Sequence, residues 1–526
     1  MSEPTRGFHP GHNPWAVALT VTLATFMEVL DTSIANVALQ HIAGDLSVGS
    51  DESTWVLTSY LVSNAIVLPI SGWLATRLGR KRFYMSCVAL FTVSSFLCGI
   101  APNLGMLILF RVLQGAGGGG LGPSEQSILA DTFPPARRGM AFAVYGMAVV
   151  LAPAIGPTLG GFITDHFSWR WVFFINVPVG IASLLLSYRM VQDPPYLARE
   201  RKRLGPIDFP GLSLIALGLG CLEVVLDKGQ EDDWFSSGFI RTFAVVCVVA
   251  LVAFVVRELT CDNPVVDLRL FKQRTFAAAC VMMLVLGGTL FGTTVLLPQF
   301  AQIQLGYTAQ LAGEALSPAG LLIMALMPLV GGLLARVDAR KLIAFGFLSA
   351  SAGLFYMAAH LDADISFGTA VELRVYQSFG LAFLFVPINS VSYVGVPQEK
   401  YNEASGIINL ARNMGGDIGI AAVTAIIARR TQIHQTTLVA HATRYSPTFL
   451  ARLDATTRAI VHAGMTTEEA SRKAMGLLAR SVVAQAQTLA YVDAIRIFAF
   501  LTVVMIPLAF VMKRPEPGGG KVKVAA

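Results

Sequence analysis

The chain has 526 residues, 54% hydrophobic and 14% charged, with a mean hydropathy of +0.62. A solvated domain of this length does not carry so apolar a composition, so the sequence reads as an all-α polytopic membrane protein. The formal charge of +6 does not point to nucleic acid, because the Lys and Arg sit mostly in turns between apolar runs.

Fourteen runs reach the roughly 20 apolar residues that a bilayer core requires. They cover 15–38, 54–75, 83–101, 105–127, 140–163, 171–190, 209–227, 239–256, 276–298, 314–335, 341–359, 371–394, 404–428 and 489–512. The first run has no small-residue cleavage site after a short core, so it is expected to be an uncleaved span rather than a signal peptide. Placing the N-terminus inside puts most of the 39 Lys and Arg on the cytoplasmic side. These include Arg6, the cluster Arg77, Arg80, Lys81 and Arg82, the segment with Arg189, Arg199, Arg201, Lys202 and Arg203, and a tail with Lys513, Arg514, Lys521 and Lys523. The short outside loops hold only Arg170 and Lys228. The excess of inside charge predicts fourteen helices with both termini cytoplasmic. One outside loop, 429–488, is rich in Arg, including Arg429, Arg430, Arg444 and Arg480, but its length takes it to the limit at which charge controls translocation. Within it Thr466 to Glu469 forms a capping-box pattern that predicts a helix.

The two halves of the chain repeat. "GWLATRLGRK" (72–81) aligns without gaps on "GLLARVDARK" (332–341), and "RVLQGAG" (111–117) on "RVYQSFG" (374–380). This predicts a six-helix half at 15–190 and another at 276–512, with two extra helices in a linker at 191–275 and short cytoplasmic tails at 1–14 and 513–526. Parallel repeats of this kind are a transporter signature.

Charges inside the spans are costly and therefore informative. In "FMEVLDTSIANVAL" (26–39), Glu28 and Asp31 occupy i and i+3, neighbouring positions on one helix face. Two carboxylates so close in a low-dielectric cavity resist simultaneous ionisation, so one is expected to hold a proton. Glu28 is read either as a partner sharing that proton or as a cation-selecting wall. Arg111 cannot shed its proton and must face a partner or a wet cavity, with Gln114 one turn on to orient it. The run "GAGGGG" is not followed by Gly-Lys-Ser/Thr, so it is no phosphate loop and serves close helix packing. Pro153 and Pro157 soften the fifth helix, and Gly156 and Gly160 give it small-xxx-small spacing. Gly72 and Gly79 permit close approach and a tight turn beside Arg77, Arg80 and Lys81. Glu125, Glu223, Glu372 and Asp493 fall near run ends, where a carboxylate can reach the interface. Arg412 and Asp417 share the thirteenth helix, and Asp417 is read as a partner of Arg412 or as a modulator of substrate charge. Six scattered cysteines, without paired spacing or local His, read as packing.

Five of these stretches, "LDTSIANVAL", "GWLATRLGRKR", "RVLQGAGGGG", "APAIGPTLGG" and "WRWVFFINVPVG", occur in an order and spacing that resembles the major facilitator superfamily. The likeness is to its fourteen-helix drug:proton antiporters of the EmrB/QacA type. The resemblance implies a major facilitator fold and export of hydrophobic or amphipathic compounds in exchange for protons, with no cofactor and a proton gradient as energy source. It implies proton coupling at Asp31, Glu28 and Arg111, and a substrate cavity drawing on Glu28, Gln114, Glu125, Asn36, Arg412 and Asp417. The conformational motifs are then Gly72, Arg77, Gly79, Arg80 and Lys81, which latch the halves, and Pro153, Gly156, Pro157 and Gly160, which mark exporters. Thr76 stands where the family often has Asp, and Asp417 where a small polar residue is usual. The resemblance also implies a bacterial inner-membrane location. A periplasmic membrane-fusion adaptor leading to an outer-membrane channel would dock on 429–488; a self-contained lid over the outer vestibule is the other reading. Alternatives to multidrug export are a dedicated transporter of one metabolite, fatty acid or siderophore and a non-transporting membrane sensor. No metal cluster, Ser/His/Asp arrangement or nucleotide motif suggests an enzyme.

Overall fold

The computed structural model describes residues 11–198, 205–261, 263–443 and 445–513. Arg6, Arg199, Arg201, Lys202, Arg203, Arg444, Arg514, Lys521 and Lys523 lie outside them, as do nearly all of the expected tails 1–14 and 513–526. Among the described residues every regular element is helical. Thirteen helices are long and apolar enough to cross a bilayer, and a fourteenth, bent by 41°, completes the set. They are α1 (Pro14–Asp45), α2 (Trp55–Leu78), α3 (Arg80–Gly99), α4 (Leu104–Thr132), α5 (Pro135–His166), α6 (Trp171–Met190) and α7 (Phe209–Lys228), then α8 (Gly238–Thr260), α9 (Arg274–Ile303), α10 (Ala309–Leu333), α11 (Ala339–His360), α12 (Phe367–Ser392), α13 (Tyr401–His441) and α14 (Thr467–Val511). Helices satisfy their own backbone groups, which a bilayer demands of any spanning segment.

The repeat seen in the sequence is a repeat in space. α4 breaks after Gly118 and resumes at Leu121, and α12 breaks after Ala382 and resumes at Phe385. The "GAGGGG" run lets α4 sink between its neighbours, since a Cβ on Gly117 would meet the Phe91 amide of α3 at 2.7 Å. α5 bends where Pro153 and Pro157 interrupt it, and its Gly160 seats against Ile34 of α1.

The two extra helices pair with each other through Gly218 and Leu251. α7 then lies on α2, with Gly220 over Ile66 and Val62. α8 turns Val245, Val248, Val249 and Val252 outward, each at least 60% exposed, a wall suited only to lipid.

The halves are joined at the end of the bundle that carries the turn Gly79–Arg82. There Ser405 Oγ donates to the Pro123 carbonyl at 2.6 Å, and the amides of Gln126 and Asn409 exchange hydrogen bonds at 2.9 and 3.2 Å. At the other end α13 (41 residues) and α14 (45 residues) run about 30 Å beyond what a bilayer needs. The segment 429–488, expected as a loop, is therefore mostly helical. It comprises the end of α13, a separate helix Pro447–His462 and the start of α14, whose Thr466 cap accepts from Glu469 N as the capping-box pattern predicts. At the base of this projection Asp493 accepts from Arg430 Nε at 2.6 Å and lies 2.7 Å from His434 Nε2.

Candidate functional site

Asp31 sits midway along α1 with no accessible surface. Its Oδ2 accepts from Arg111 Nη1 of α4 at 2.6 Å, and its Oδ1 accepts from Gln114 Nε2 at 2.9 Å and from Asn176 Nδ2 of α6 at 2.7 Å. Gln114 Oε1 accepts from Arg111 Nη1 at 2.8 Å, so the glutamine locks both partners. Asn176 also donates to Ser95 Oγ of α3 at 3.1 Å. Arg111 Nε donates to the Val56 carbonyl of α2 at 3.0 Å, and the guanidinium lies 4.3 Å from the Tyr60 ring centroid. One buried ion pair thereby ties α1, α2, α3, α4 and α6 together. Arg111 Nη2 is buried without a partner, so the guanidinium has no acceptor in reserve should Asp31 lose its charge.

Glu28, one turn earlier, is partly accessible. It accepts from Asn64 Nδ2 at 3.2 Å and, through a long contact of 3.4 Å, from the Tyr60 hydroxyl. The two carboxylates do not bond each other. Tyr60 links Glu28 to Arg111 instead, with its ring against the guanidinium and its hydroxyl toward Glu28.

Of the other expected cavity residues, Glu125 and Arg412 lie within electrostatic reach of Glu28, whereas Asn36 and Asp417 stand outside that group. Glu125 has no accessible surface and is held by the hydroxyls of Thr25 of α1 and Tyr84 of α3, so it lies behind α1 rather than in a cavity or at the interface. Asn36 is exposed and joins neither carboxylate network. Arg412 of α13 donates through Nε to Asn413 Oδ1 at 3.1 Å, stands 5.9 Å from the Phe385 ring and leaves Nη1 buried without a partner. Asp417 does not pair with it. Five residues turn a helix by about 140°, and Asp417 meets the Glu223 carboxyl of α7 instead. Glu223 is likewise buried rather than interfacial. Of the remaining run-end carboxylates, Glu372 is exposed beneath the Tyr356 hydroxyl, and Asp493 is held in the projection.

At the joined end, Arg80 is 1% exposed and reaches three elements. Its Nη1 pairs with Asp131 Oδ2 of α4 at 2.5 Å, its Nη2 donates to the Tyr196 hydroxyl at 2.9 Å, and its Nε donates to Asn402 Oδ1 of α13 at 2.8 Å. Asn402 Nδ2 contacts the Thr76 hydroxyl at 3.4 Å, so the threonine still faces the opposite half. Gly72 permits this approach, because a Cβ there would lie 2.7 Å from the Asn402 backbone. Gly79 turns the chain at φ 94°, a conformation that favours glycine. Arg77 donates to the Gly205 carbonyl at 3.2 Å, and Lys81 Nζ to the Tyr188 carbonyl at 2.6 Å.

Between the halves lies a cavity of about 90 Å³, lined from α5 by Val149, Val150, Pro153 and Pro157 and otherwise by α9, α10 and α12. A buried carboxylate held by a cation, on a repeated six-helix frame, is transporter architecture. The model of the Major Facilitator Superfamily matches residues 21–420.

The chain belongs to the major facilitator superfamily.

Along 504 residues it is 37% identical to the multidrug export protein EmrB of Escherichia coli K12, covering 96% of each chain. It is 41% identical over 450 residues to the protein of the same name from Haemophilus influenzae, covering 85% of this chain and 87% of that one. In structure it resembles the proton:xylose symporter XylE with a TM-score of 0.57 at 15% identity, over 80% of this chain and 90% of that one. As a superfamily member it is a multi-pass membrane transporter and not an enzyme, and transporters of this type need no cofactor.

The superfamily repeat extends to the site. Arg374 and Gln377 of α12 stand 263 positions after Arg111 and Gln114, and Thr293 of α9 stands 262 after Asp31. Arg374 Nη1 donates to Thr293 Oγ1 at 2.8 Å and to Gln377 Oε1 at 2.6 Å, and Gln377 Nε2 donates to Thr293 Oγ1 at 2.8 Å. The C-terminal half rebuilds the network with a hydroxyl in place of the carboxylate. Sequence reasoning found Asp31, Arg111 and Gln114 but missed Tyr60, Asn64 and Asn176. Of these only Asn176 had a signal, lying inside "WRWVFFINVPVG".

Proposed function

We propose that the chain is a proton-coupled exporter of hydrophobic and amphipathic compounds, a multidrug efflux antiporter that works by alternating access. The observation that carries this reading is the fully buried Asp31–Arg111 pair one turn from the half-buried Glu28. Residues 15–190 and 276–512 act as the two rocking halves, and 191–275 carries the extra spans. The end rich in Arg77, Arg80, Lys81, Arg82, Arg340 and Lys341 is cytoplasmic by the charge rule, in a bacterial inner membrane with both termini inside. The structure is then closed toward the cytoplasm. The projection built from 429–488 is periplasmic, and it is the surface for a membrane-fusion adaptor leading to an outer-membrane channel.

Glu28 takes up a proton from the open side, and Asp31 receives it as water or the Tyr60 hydroxyl bridges the two acids. A neutral Asp31 no longer compensates Arg111, so the arrangement of α1, α4 and α6 loses its main electrostatic support. The halves rock and break the Arg80 latch. On the cytoplasmic side Asp31 releases the proton as substrate enters, and the re-formed ion pair favours return. Export therefore exchanges proton for substrate because each stabilises a different arrangement of the same helices.

Glu28 provides a test of substrate contact. In everted vesicles Glu28→Gln should weaken transport of monocationic dyes about tenfold while neutral compounds change less than about threefold, as expected for loss of one attractive charge worth about 1.4 kcal/mol. Equal loss for both classes would contradict a direct contact with cations.

A further inference from the structure

We propose that Arg374 is an anion-binding residue that receives the acidic head of amphipathic substrates, so that this exporter takes apolar carboxylates with the charge held by the C-terminal half. The inference deepens the export reading and rests on it for the meaning of the cavity.

Arg374 is 5% exposed and keeps its charge in any environment the protein can offer. Its acceptors among the described residues are neutral: Thr293 Oγ1, Gln377 Oε1 and, from Nη2 at 2.6 Å, Thr294 Oγ1. No carboxylate among the described residues pairs with it. The corresponding position in the N-terminal half shows what such a site requires, because there Asp31 supplies the anion that Thr293 lacks. A buried cation without a counter-charge is costly and marks a ligand position more often than a structural one.

The surroundings say what kind of anion fits. Arg374 lines this cavity with Thr294 and Ser378, and the rest of the wall is mostly apolar, with Val149, Val150, Leu290, Phe291, Leu316 and Ile323. Ser378, one turn after Arg374 on α12, lines the same cavity, and its hydroxyl is buried with no hydrogen-bond partner. A carboxylate placed against Arg374 would accept from both groups, with an aryl or alkyl body lying along the apolar wall. A bare inorganic anion would satisfy the guanidinium but leave that wall unused.

The test is equilibrium binding to the purified full-length chain in lipid nanodiscs, with 1-pyrenebutyrate and 1-pyrenebutanol, which differ only in the head group. Each probe partitions into the lipid equally whichever variant is present, so partition cancels when the ratio of their affinities is compared between variants. Arg374→Gln should lower the butyrate-to-butanol ratio about tenfold, and Arg374→Lys should keep it within about threefold of wild type. Thr293→Asp, which installs in the C-terminal half the acid of the N-terminal half, should lower the ratio as much as Arg374→Gln. It does so without removing the arginine, so it reports even if Arg374→Gln fails to fold. An unchanged ratio in Thr293→Asp, or a ratio that falls equally in Arg374→Lys and Arg374→Gln, would overturn the proposal. No gradient is applied, so that result leaves the proton-coupled reading standing. A wild type that binds pyrenebutyrate but moves no substrate under an imposed gradient would overturn the export reading instead.

Discussion

Asp31→Asn should abolish transport driven by a pH gradient while leaving substrate exchange across proteoliposomes measurable. The substitution keeps the shape and the hydrogen bonds to Gln114 and Asn176 but removes the charge that compensates Arg111. Breaking one partner of a buried pair costs about 3–5 kcal/mol, and about 3 kcal/mol is roughly a hundredfold in rate or population. Gradient-driven efflux should therefore fall by about two orders of magnitude. Substrate exchange without net proton movement does not require the carboxylate to titrate, so it should persist. Full gradient-driven transport by Asp31→Asn would remove Asp31 from the coupling mechanism.

The second large effect is expected at Arg80. Its guanidinium joins Asp131, Tyr196 and Asn402, and Asp131 is itself buried in that contact, with a side chain only 3% accessible. Arg80→Ala leaves Asp131 without its ion-pair partner and severs a direct bond between the halves, again at about 3–5 kcal/mol. The two orientations of a transporter differ by only a few kcal/mol, so a change of this size is enough to reverse their populations. Spin labels at Arg82→Cys and Arg336→Cys, on opposite halves at the joined end, should show a dominant short distance in the wild type and a dominant long one in Arg80→Ala. Arg80→Lys should fall between, since an ammonium keeps the charge but cannot address three acceptors in the guanidinium's planar fork. Identical distance distributions in all three proteins would show that Arg80 is not a latch.

Much of this was legible in the sequence, for reasons that also explain what was not. The spans were visible because a bilayer imposes a length and an apolar composition, and the internal repeat because "RVLQGAG" and "RVYQSFG" kept both arginine and glutamine. The buried ion pair was visible because charges in a span are rare. Apart from Gln114, the neutral partners of the two carboxylates were harder to see: Tyr60, Asn64 and Asn176 are unremarkable residue types, only Asn176 lies in a motif, and the packing of α2 and α6 against α1 brings them to the carboxylates. The latch partners Asp131, Tyr196 and Asn402 lie 51, 116 and 322 positions from Arg80, beyond any local pattern. Asp417 lies five residues from Arg412, close enough in sequence for a pairing or a role in substrate charge to be read there, but the helix turns its side chain toward Glu223 of α7. Glu125 lay near the end of an apolar run but is deeply buried, because α4 breaks at its glycines and continues inward as Leu121–Thr132. The projecting ends of α13 and α14 are polar, so hydropathy, which reports only the part inside the bilayer, presented them as a loop.

The central claim is that substrate leaves as protons enter through one set of helices. Proteoliposomes containing only this chain, with a pH-sensitive dye trapped inside, test it directly. When a gradient of lipophilic cationic dye is imposed with no initial pH difference, protons should move against the direction of dye movement, and this flux should be absent in Asp31→Asn. Dye movement by the wild type with no proton flux, or proton flux undiminished in Asp31→Asn, would contradict the account.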